Sequence, residues 1–305
     1  MSKILKDIMG LPIKALSYDK TKFDAPFVIV RVDGGICSQI CFYSLGKYFS
    51  DKGYRVKYDL TWFDEFGMDI DNKFQRNFDL LKAFKINNFE IATKEEIEYY
   101  KKNFPLKSKI YQIATPPVYV GRYYDYTNLL KKYKNDFINI FNPELDDDNK
   151  LWLSKIQSQT SCAIHVRRGD LSNCKFSYYG KTATANYFIN AIEYVKNKNS
   201  ETKFFFFSDE IDWVKTEIVP KLNSIDYEIV ECNGSNKGYL DLYLISKCSS
   251  FITSLGSLAK TGALLSKNPI NTNDKTGVII VSTQDKNLHS LKACNGMKII
   301  KIKNE

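Results

Sequence analysis

Histidine is nearly absent from this 305-residue sequence, which has only 2, and its 7 cysteines are scattered without any Cys-x-x-Cys pair. Both features argue against a zinc or iron centre held by the protein, because such sites need clustered histidine or cysteine ligands. An odd, scattered set of cysteines also argues against a disulfide framework and favours a reducing compartment. We therefore expect no metal, no cofactor and a cytoplasmic location.

Long hydrophobic runs are missing as well. No stretch approaches the roughly 18 apolar residues that a membrane span requires, and the first residues lack the apolar core of a signal peptide. Residues 1–18 do combine apolar and lysine side chains in a short basic amphipathic pattern. Such a segment either lies on an anionic membrane surface or packs on its own domain. Any membrane contact is therefore expected to be peripheral, at the inner face.

Two glycine signatures of nucleotide binding are incomplete or missing. Gly34 and Gly35 follow an apolar run at residues 27–30 that is typical of a strand, and apolar residues at helical spacing resume at 39–48. The third glycine of the dinucleotide fingerprint is absent, and no glycine-rich loop ends in Gly-Lys-Ser or Gly-Lys-Thr. These absences argue against a dinucleotide-dependent oxidoreductase and against a P-loop enzyme.

What the sequence does contain is ample core material and an excess of basic residues. Hydrophobic residues make up 44% of the chain and charged residues 26%, as in ordinary globular proteins. The formal net charge of +9 favours anionic partners. Acidic residues are interleaved with the basic ones and no basic stripe is evident, so we expect no nucleic-acid partner. A nucleic-acid-binding or phosphate-binding protein without catalysis remains the alternative.

The second half of the sequence alternates between strand and helix patterns, after a polar break near residues 142–160. Such alternation favours a parallel, doubly wound sheet. Four consecutive phenylalanines at 204–207 indicate a central strand covered by helices on both faces. We predict strands at 161–166, 203–207, 227–231, 249–253 and 277–282, and helices at about 184–197, 211–219, 239–247 and 257–266.

The first half gives weaker patterns, with helices expected near residues 74–85 and 94–103. The chain is longer than a single hydrophobic core usually supports. We therefore predict two domains, 1–158 and 159–305, with a cleft between them.

Two arginines emerge where the apolar strand predicted at 161–166 becomes a loop. Residues 165–170 read His-Val-Arg-Arg-Gly-Asp, which places Arg167 and Arg168 directly after the strand. Ligands of open α/β sheets bind at the carboxyl ends of strands, and the planar guanidinium grips phosphate oxygens in pairs. The pattern predicts a phosphorylated ligand, although a surface arginine pair bonded to Asp170 fits the same six residues.

Three other strand ends carry polar residues that suit a nucleotide. Asp209 follows the strand at 203–207, and its carboxylate either contacts a ribose or base or caps the next helix. Asp241 lies in another strand-to-helix connection, where a carboxylate accepts hydrogen bonds from guanine or again caps a helix. Ser254, Gly256 and Ser257 open the helix at 257–266, whose first backbone N–H groups suit a pyrophosphate.

Taken together, these motifs resemble those of glycosyltransferase family 11, the bacterial α-1,2-fucosyltransferases. The resemblance covers about residues 28–266, and its specific element is the block at 165–170. It implies an α/β fold of the GT-B type, with two Rossmann-like domains facing a central cleft. It also implies an acceptor-side N-terminal domain, a GDP-fucose donor bound by the C-terminal domain, inversion at the anomeric carbon and no required metal.

The chain departs from this family at two places. Cys37 and Ser38 stand where the family's first loop has glycine and asparagine, and residues 258–263 replace an aromatic, tryptophan-rich stretch. The chain therefore resembles a divergent member, and a transferase that uses another GDP-sugar is the alternative to a fucosyltransferase.

Roles for individual residues follow partly from chemistry and partly from this resemblance. Loss of GDP builds negative charge on the β-phosphate, so a fixed guanidinium there stabilises the transition state, and Arg167 is our candidate. Asp33 is the candidate base for the acceptor hydroxyl, although an Asp that bends the Gly-Gly turn fits equally well. The resemblance further implies that His165, Arg168 and Asp170 bind the donor, with Arg168 assisting or bracing the loop.

The acceptor side is expected to be a loop at the start of the chain's first helix. The partner at this side would be an oligosaccharide or lipid-linked glycan, a precursor of a bacterial surface glycan. The loop residues expected near it are Gly34, Gly35, Ser38 and Gln39.

Overall fold

The computed structural model describes residues 25–68, 72, 74–172, 180–267, 277–286, 291, 294 and 298–305. The amphipathic pattern of residues 1–18 lies outside this described part. Within it, no helix is both long enough and apolar enough to cross a membrane.

A three-stranded parallel sheet organises the first half of the chain. Strand β1 (Val28–Arg31) lies between β2 (Val56–Asp59) and β3 (Val118–Val120). β1 is apolar on both faces because each face packs into a different cluster of buried residues, Val28 in one and Ile29 in the other. The predicted strand at 27–30 is confirmed. Its carboxyl end leads directly into the Gly34-Gly35 turn.

Local capping hydrogen bonds, as well as packing, determine where the helices of this half begin. Thr93 and Glu96 form a reciprocal capping box at the start of the helix predicted at 94–103. Asp146 accepts a hydrogen bond from the backbone of Asn149 at the start of another helix. The described helices before residue 160 are α1 (Ile36–Ser50), α2 (Thr61–Glu65), α3 (Leu80–Ala83), α4 (Lys94–Asn103), α5 (Thr127–Ile140) and α6 (Asp147–Gln157).

The prediction of a helix over 74–85 was wrong in extent, since only α3 is helical there. The reason is a contact with a distant part of the chain. The carboxamide oxygen of the distant Gln39 accepts hydrogen bonds from the backbone N–H groups of Asp79 and Leu80, at 2.9 and 3.0 Å. The Gln39 side chain, which lies outside residues 74–85, therefore caps this helix, and the helix begins at Leu80.

A six-stranded parallel sheet fills the second half of the chain. Its order, β6-β5-β4-β7-β8-β9, is that of a doubly wound nucleotide-binding sheet, in which the chain moves outward in both directions from the two middle strands. The strands are β4 (Ser161–Val166), β5 (Lys203–Ser208), β6 (Tyr227–Ile229), β7 (Ser250–Ile252), β8 (Val278–Ser282) and β9 (Lys298–Ile302).

Helices connect these strands as the alternation predicts. β9 is an additional edge strand that the pattern did not predict. The segment predicted as one helix at 211–219 is a short α-helix followed by a π-type turn, Val214–Ile218, ahead of Pro220. The described α-helices of this half are α7 (Ala185–Lys198), α8 (Ile211–Trp213), α9 (Gly238–Ile245) and α10 (Leu258–Leu265).

The expected fold class is confirmed, because two parallel sheets with helical connections form the α/β arrangement of the GT-B type. The phenylalanines at 204–207 lie in β5, which is flanked by β6 and β4 and is central as predicted. Alternate members of this run pack into two different clusters, one on each face of the sheet. Helix α6 also packs on this sheet through Ile156, although it precedes residue 159.

The two sheets share part of their hydrophobic core. The large cluster around β1 and α1 includes four buried side chains of the described second half, which come from α9 and α10. Tyr243 of α9 meets Phe141 edge to face, with ring centroids 5.1 Å apart. The four shared side chains are Leu242, Tyr243, Leu264 and Leu265.

Candidate active site

The carboxyl ends of β4 and β7 form the centre of the candidate site. These strands are hydrogen-bonded neighbours, and the chain leaves them toward opposite edges of the sheet. A crevice opens at such a point in doubly wound sheets, and ligands bind there. Arg167 follows β4 and Ser254 follows β7, so both predicted donor-side segments lie beside this crevice.

A single hydroxyl joins the two segments. Ser254 Oγ accepts a hydrogen bond from the backbone N–H of Arg167 and donates one to the carbonyl of His165, both at 2.8 Å. Ser254 is only 2% exposed. The hydroxyl therefore fixes the backbone of the arginine loop against β7, and a direct contact of Ser254 with the donor stays a prediction.

Asp209, at the end of β5, orients the arginine loop. Its Oδ2 atom lies 2.6 Å from Nη1 of Arg167, and its Oδ1 atom accepts a hydrogen bond from the backbone N–H of Arg168 at 3.0 Å. A Cβ on Gly169 would collide with the same carboxylate, so a glycine is needed at that position. Asp209 thus supports Arg167 from below the crevice. The alternative of a helix cap is not seen, because the following helix has no side-chain cap.

The guanidinium of Arg168 points away from that of Arg167. Its Nη1 donates to the carbonyl of Ala183 at 3.2 Å, its Nε lies 3.5 Å from Glu210 Oε2, and its Cζ lies 4.0 Å from the centre of the Trp213 ring. These contacts tie the loop to two neighbouring segments. They support the bracing role expected for Arg168. The side chain of Asp170 lies outside the described part.

His165 lies in the buried strand and is 6% exposed. Desolvation, together with the nearby Arg167 and Lys260 cations, lowers the pKa of this imidazole to about 3. His165 is therefore neutral at physiological pH. Lys260 is itself buried at 1% exposed, and its Nζ lies 2.5 Å from Asp285 Oδ2, which compensates its charge.

The start of α10 provides backbone donors beside the arginine loop. Gly256 has φ of +91° and lets this turn approach Arg167, whose Cγ would lie 3.4 Å from a Cβ on Gly256. Ser257 is at the cap position, but its side chain makes no capping hydrogen bond. The first-turn N–H groups of a helix lack partners within the helix and attract anions. The segment therefore suits a phosphate.

On the opposite side, Asp33 follows β1 at the entrance of the Gly-Gly turn. Its Oδ1 accepts a hydrogen bond from the Tyr123 hydroxyl at 2.7 Å, and Oδ2 lies 3.4 Å from Arg31 Nη2. Gly34 has φ of +73°, and a Cβ there would press on Ser38 and on the Tyr123 hydroxyl. The turn thus holds Asp33 in one orientation beside the mostly exposed Tyr123.

Gln39 supports this turn and does not face the crevice. It is 0% exposed, and its Nε2 donates to the carbonyls of Gly34 and Asn77 at 3.0 and 2.8 Å. Its oxygen caps α3, as described above. The hydrogen-bonding capacity of this carboxamide is therefore satisfied inside the protein, and its part on the acceptor side is to hold the loop.

The two sides of the cleft meet at Cys37, in the first turn of α1. Desolvation raises the pKa of its thiol, and the side chains of Thr261 and Ser257, in the α10 segment, only partly offset the effect. Arg76 adds a cation here, with Nη1 3.9 Å from the position of a Cβ on Gly35. The N-termini of α1 and α10 therefore face each other across the cleft.

Asp241 is separate from the arginine pair, and the prediction that it lies in a strand-to-helix connection was wrong, because it lies in the first turn of α9. Its Oδ1 accepts a hydrogen bond from Asn233 Nδ2 at 2.8 Å, and Asn233 is bonded in turn to Asn149. Desolvation raises the pKa of Asp241 to about 7, and the hydrogen bond from Asn233 only partly opposes it.

Comparison with known proteins identifies the family. The model of Glycosyl transferase family 11 matches residues 122–298, which is more than half of the chain. The chain belongs to glycosyl transferase family 11. The resemblance seen in the motifs is thereby confirmed.

Curated relatives of this family 11 glycosyltransferase are distant. It is 26% identical over 265 residues to the alpha-1,2-colitosyltransferase of Escherichia coli, a match that covers 78% of the chain and 87% of that protein. It is also 26% identical over 110 residues to the O-antigen biosynthesis glycosyltransferase WbnK of Escherichia coli, covering 36% of the chain and 35% of that protein.

Two solved structures are similar at lower identity. POFUT1 in complex with GDP aligns with a TM-score of 0.44 and 11% identity, covering 91% of this chain and 99% of that chain. The E. coli ADP-heptose lps heptosyltransferase II aligns with a TM-score of 0.46 and 10% identity, covering 90% of each chain.

Three residues of the family 11 site were missed by the sequence reasoning. Tyr123 lies 90 positions from Asp33, and Arg76 lies in the stretch predicted as a helix over 74–85, so no local signal marks either one as a site residue. Lys260 could have been found from the sequence, because a lysine inside an apolar helix must pair with an opposite charge or change its charge state. Its partner Asp285 follows the next strand of the sheet.

Replacing Asp241 by asparagine is expected to stabilise the protein at alkaline pH. The pKa of Asp241 is raised in the folded state, so its stabilising contribution is complete below about pH 4 and is lost as the pH rises to about 7. The variant keeps an oxygen for Asn233 and avoids the buried charge, which adds about 2–4 kcal/mol at pH 8 and almost nothing at pH 4. Urea unfolding of both proteins at the two pH values measures this difference. A variant that is less stable at pH 8 would show that the carboxylate is ionised and well paired.

Proposed function

We propose that this family 11 glycosyltransferase is an inverting α-1,2-fucosyltransferase that moves fucose from GDP-fucose to a hydroxyl of a bacterial surface glycan precursor. The observation that supports it most is the fixed position of Arg167 between β4 and α10. There a rigid guanidinium and a helix N-terminus adjoin the crevice where a doubly wound sheet binds its ligand.

In the proposed reaction the acceptor oxygen attacks the anomeric carbon as the bond to the β-phosphate oxygen breaks. The acceptor proton passes to the carboxylate of Asp33, and the negative charge that develops on GDP is stabilised by Arg167. Because the guanidinium and the helix terminus supply this stabilisation, the reaction proceeds without a divalent metal. In this proposal Asp33 and the phosphate-binding residues act from opposite sides of the anomeric carbon, as inversion requires.

The guanine base is assigned to the region of Asp241. The carboxyl oxygens of this residue accept hydrogen bonds, and the edge of guanine presents two N–H donors. UDP and CMP lack this pair of donors, so their binding is expected to be weaker.

Colitosyl transfer is the second candidate, supported by the match to the colitosyltransferase over 78% of the chain. Cys37 and Ser38 replace the glycine and asparagine expected in the acceptor-side loop, and Cys37 lies against the α10 segment where the donor sugar would sit. The O-antigen relative supports a surface glycan as acceptor. The basic pattern of residues 1–18 supports peripheral contact with the inner membrane face, where lipid-linked acceptors are found.

A thermal-shift panel of GDP, UDP, ADP and CMP, with and without EDTA, tests the donor assignment. At equal concentration, a ligand that binds the folded state more tightly raises the melting temperature more, so GDP should stabilise the protein most and EDTA should not remove the effect. Stabilisation by UDP but not GDP would contradict the assignment. Turnover with fucosyl and colitosyl donors in EDTA then separates the two sugars, and activity that returns only with Mg²⁺ or Mn²⁺ would contradict metal independence.

A further inference from the structure

A cavity lies on the first half of the chain, away from Arg167. Its volume is about 590 Å³, within the range of roughly 300–1,000 Å³ that small-ligand pockets occupy. The second half of α1, the start of β2 and the segment 87–90 form its walls. Neither Asp33 nor the arginine loop contributes to it.

The cavity lies behind the active site along α1. This helix begins at the cleft with Ile36, whereas its cavity-lining residues are Tyr43, Lys47 and Ser50. At a rise of about 1.5 Å per residue, these residues lie roughly 10–21 Å from the helix start. Arg55, at the amino end of β2, lies on the same side. A ligand that reached both places would have to be an extended chain.

The walls are rich in aromatic rings. Tyr58 and Phe89 stack with centroids 4.1 Å apart and planes 6° from parallel, and Tyr43 lies next to Phe89 at 6.4 Å. Tyr43 and Phe89 are half-buried, so part of their surface remains accessible. The negative face of an aromatic ring attracts the weakly positive C–H groups of a sugar ring. Half-exposed tyrosines and phenylalanines are therefore suited to carbohydrate.

The polar groups of the cavity favour a neutral ligand. Glu90 pairs with Arg55, with Oε2 2.9 Å from Nε, and Lys47 lies 3.4 Å from Asp136. The charged groups thus compensate one another. In the described part of the chain, the exposed amides of Asn87 and Asn88 make no side-chain hydrogen bond, and they remain available to ligand hydroxyls.

A row of aromatic side chains connects the carboxyl edge of the first sheet with this cavity. Trp62 in α2 contacts Phe63 at 5.1 Å, Phe63 contacts Phe78 at 5.7 Å, and Phe78 contacts Phe89 at 5.3 Å between ring centroids. All four are half-buried. Phe78 lies between Asn77 and Asp79, which Gln39 bonds beside the Gly-Gly turn. The row of aromatic rings therefore runs from the surroundings of the acceptor-side loop to the cavity.

We propose that this cavity is a second carbohydrate subsite, which holds a neutral portion of an extended acceptor glycan remote from the hydroxyl that reacts. The inference rests on the proposed function for the identity of its ligand. It predicts that affinity rises with acceptor length, because a glycan that reaches both the active site and the cavity binds the protein at two points.

Filling the cavity tests this subsite without touching the active site. Ser50 is an exposed lining residue at the end of α1, and Ser50→Trp places an indole in the opening. The matched control is Ser154→Trp, at an exposed helical serine of α6. A second variant, Asn87→Ala with Asn88→Gly, removes the free amides, and glycine suits the φ of +60° at position 88.

The measurement is transfer to neutral oligosaccharides of graded length prepared from Escherichia coli O-antigen. In the wild-type protein and in Ser154→Trp, KM should fall by about tenfold to a hundredfold from the shortest to the longest acceptor. Ser50→Trp and the double variant should lose this gain, while kcat and the KM for the shortest acceptor stay unchanged. A Ser50→Trp protein with the length dependence of Ser154→Trp would overturn the proposal.

Direct binding separates this subsite from the proposed function. Calorimetric titration of the longest oligosaccharide without donor should show binding to the wild-type protein and to Ser154→Trp, and at least about tenfold weaker binding to Ser50→Trp. This holds even if no GDP-sugar is transferred, in which case only the proposed function fails. Equal binding to the two tryptophan variants, or no binding to the wild type, would overturn the subsite.

Discussion

Replacing Arg167 by lysine is expected to reduce kcat by about 10²–10³, or roughly 3–4 kcal/mol of transition-state stabilisation. Lysine keeps one positive charge but loses the planar fork that holds two phosphate oxygens at once. The ion pair with Asp209 is compatible with either cation, so the variant should remain folded. The measurement is kcat and KM for donor and acceptor, with the melting temperature alongside, and GDP should bind more weakly.

Arg168→Lys is the matched control for this experiment. Arg168 contacts Ala183, Glu210 and Trp213, so its loss should loosen the loop and reduce turnover by less than the change at Arg167. Near-wild-type turnover in a folded Arg167→Lys protein would remove Arg167 from the mechanism. A larger loss at Arg168 than at Arg167 would reverse the two assigned roles.

Replacing Asp33 by asparagine is expected to reduce kcat by about 10²–10⁴, the usual contribution of a general base. The amide preserves the size of the side chain and can still accept the hydrogen bond from Tyr123, but it cannot take the proton of the acceptor hydroxyl. GDP binding should be unchanged, because Asp33 lies on the acceptor side of the cleft. Turnover and GDP affinity of the same preparation measure both effects.

Tyr123→Phe tests whether Asp33 acts through its orientation. The change removes the 2.7 Å hydrogen bond and leaves the carboxylate in place. One hydrogen bond of this kind contributes about 0.5–1.5 kcal/mol, so kcat should fall by about tenfold or less while the KM for the donor stays the same. If Asp33→Asn retains full turnover, Asp33 bends the turn and another group takes the proton.

Much of the second half could be predicted from the sequence, because its strands are continuous apolar runs separated by polar connections. Parallel strands buried on both faces leave this simple pattern, and the phenylalanines at 204–207 show it most clearly. The chemistry-bearing residues at the ends of such strands follow once the strands are placed. This is why Arg167, Asp209 and Ser254 were found together.

The first half was less predictable because its structure depends on distant partners. The start of α3 is capped by Gln39, about 40 residues earlier in the chain, and no local pattern reports such a bond. The contact of Tyr123 with Asp33 was missed for the same reason, because the two residues are far apart in the sequence. Sequence spacing identifies residues that lie near strand ends, but only the tertiary structure shows that Ser254 and Asp209 are bonded to the loop itself.

The core shared by the two sheets affects how this enzyme can be re-engineered. Phe141 from the first half and Tyr243 from the second pack in one cluster together with Leu264 and Leu265. A chimera that joined the first half of another family member to the second half of this chain would therefore have poorly matched apolar side chains where the two halves pack together. The contributions of residues in direct contact to stability are not independent, so the contacting residues of both halves have to be exchanged together. The activity of this enzyme is then more readily altered by substitutions within one half of the chain than by exchange of whole halves.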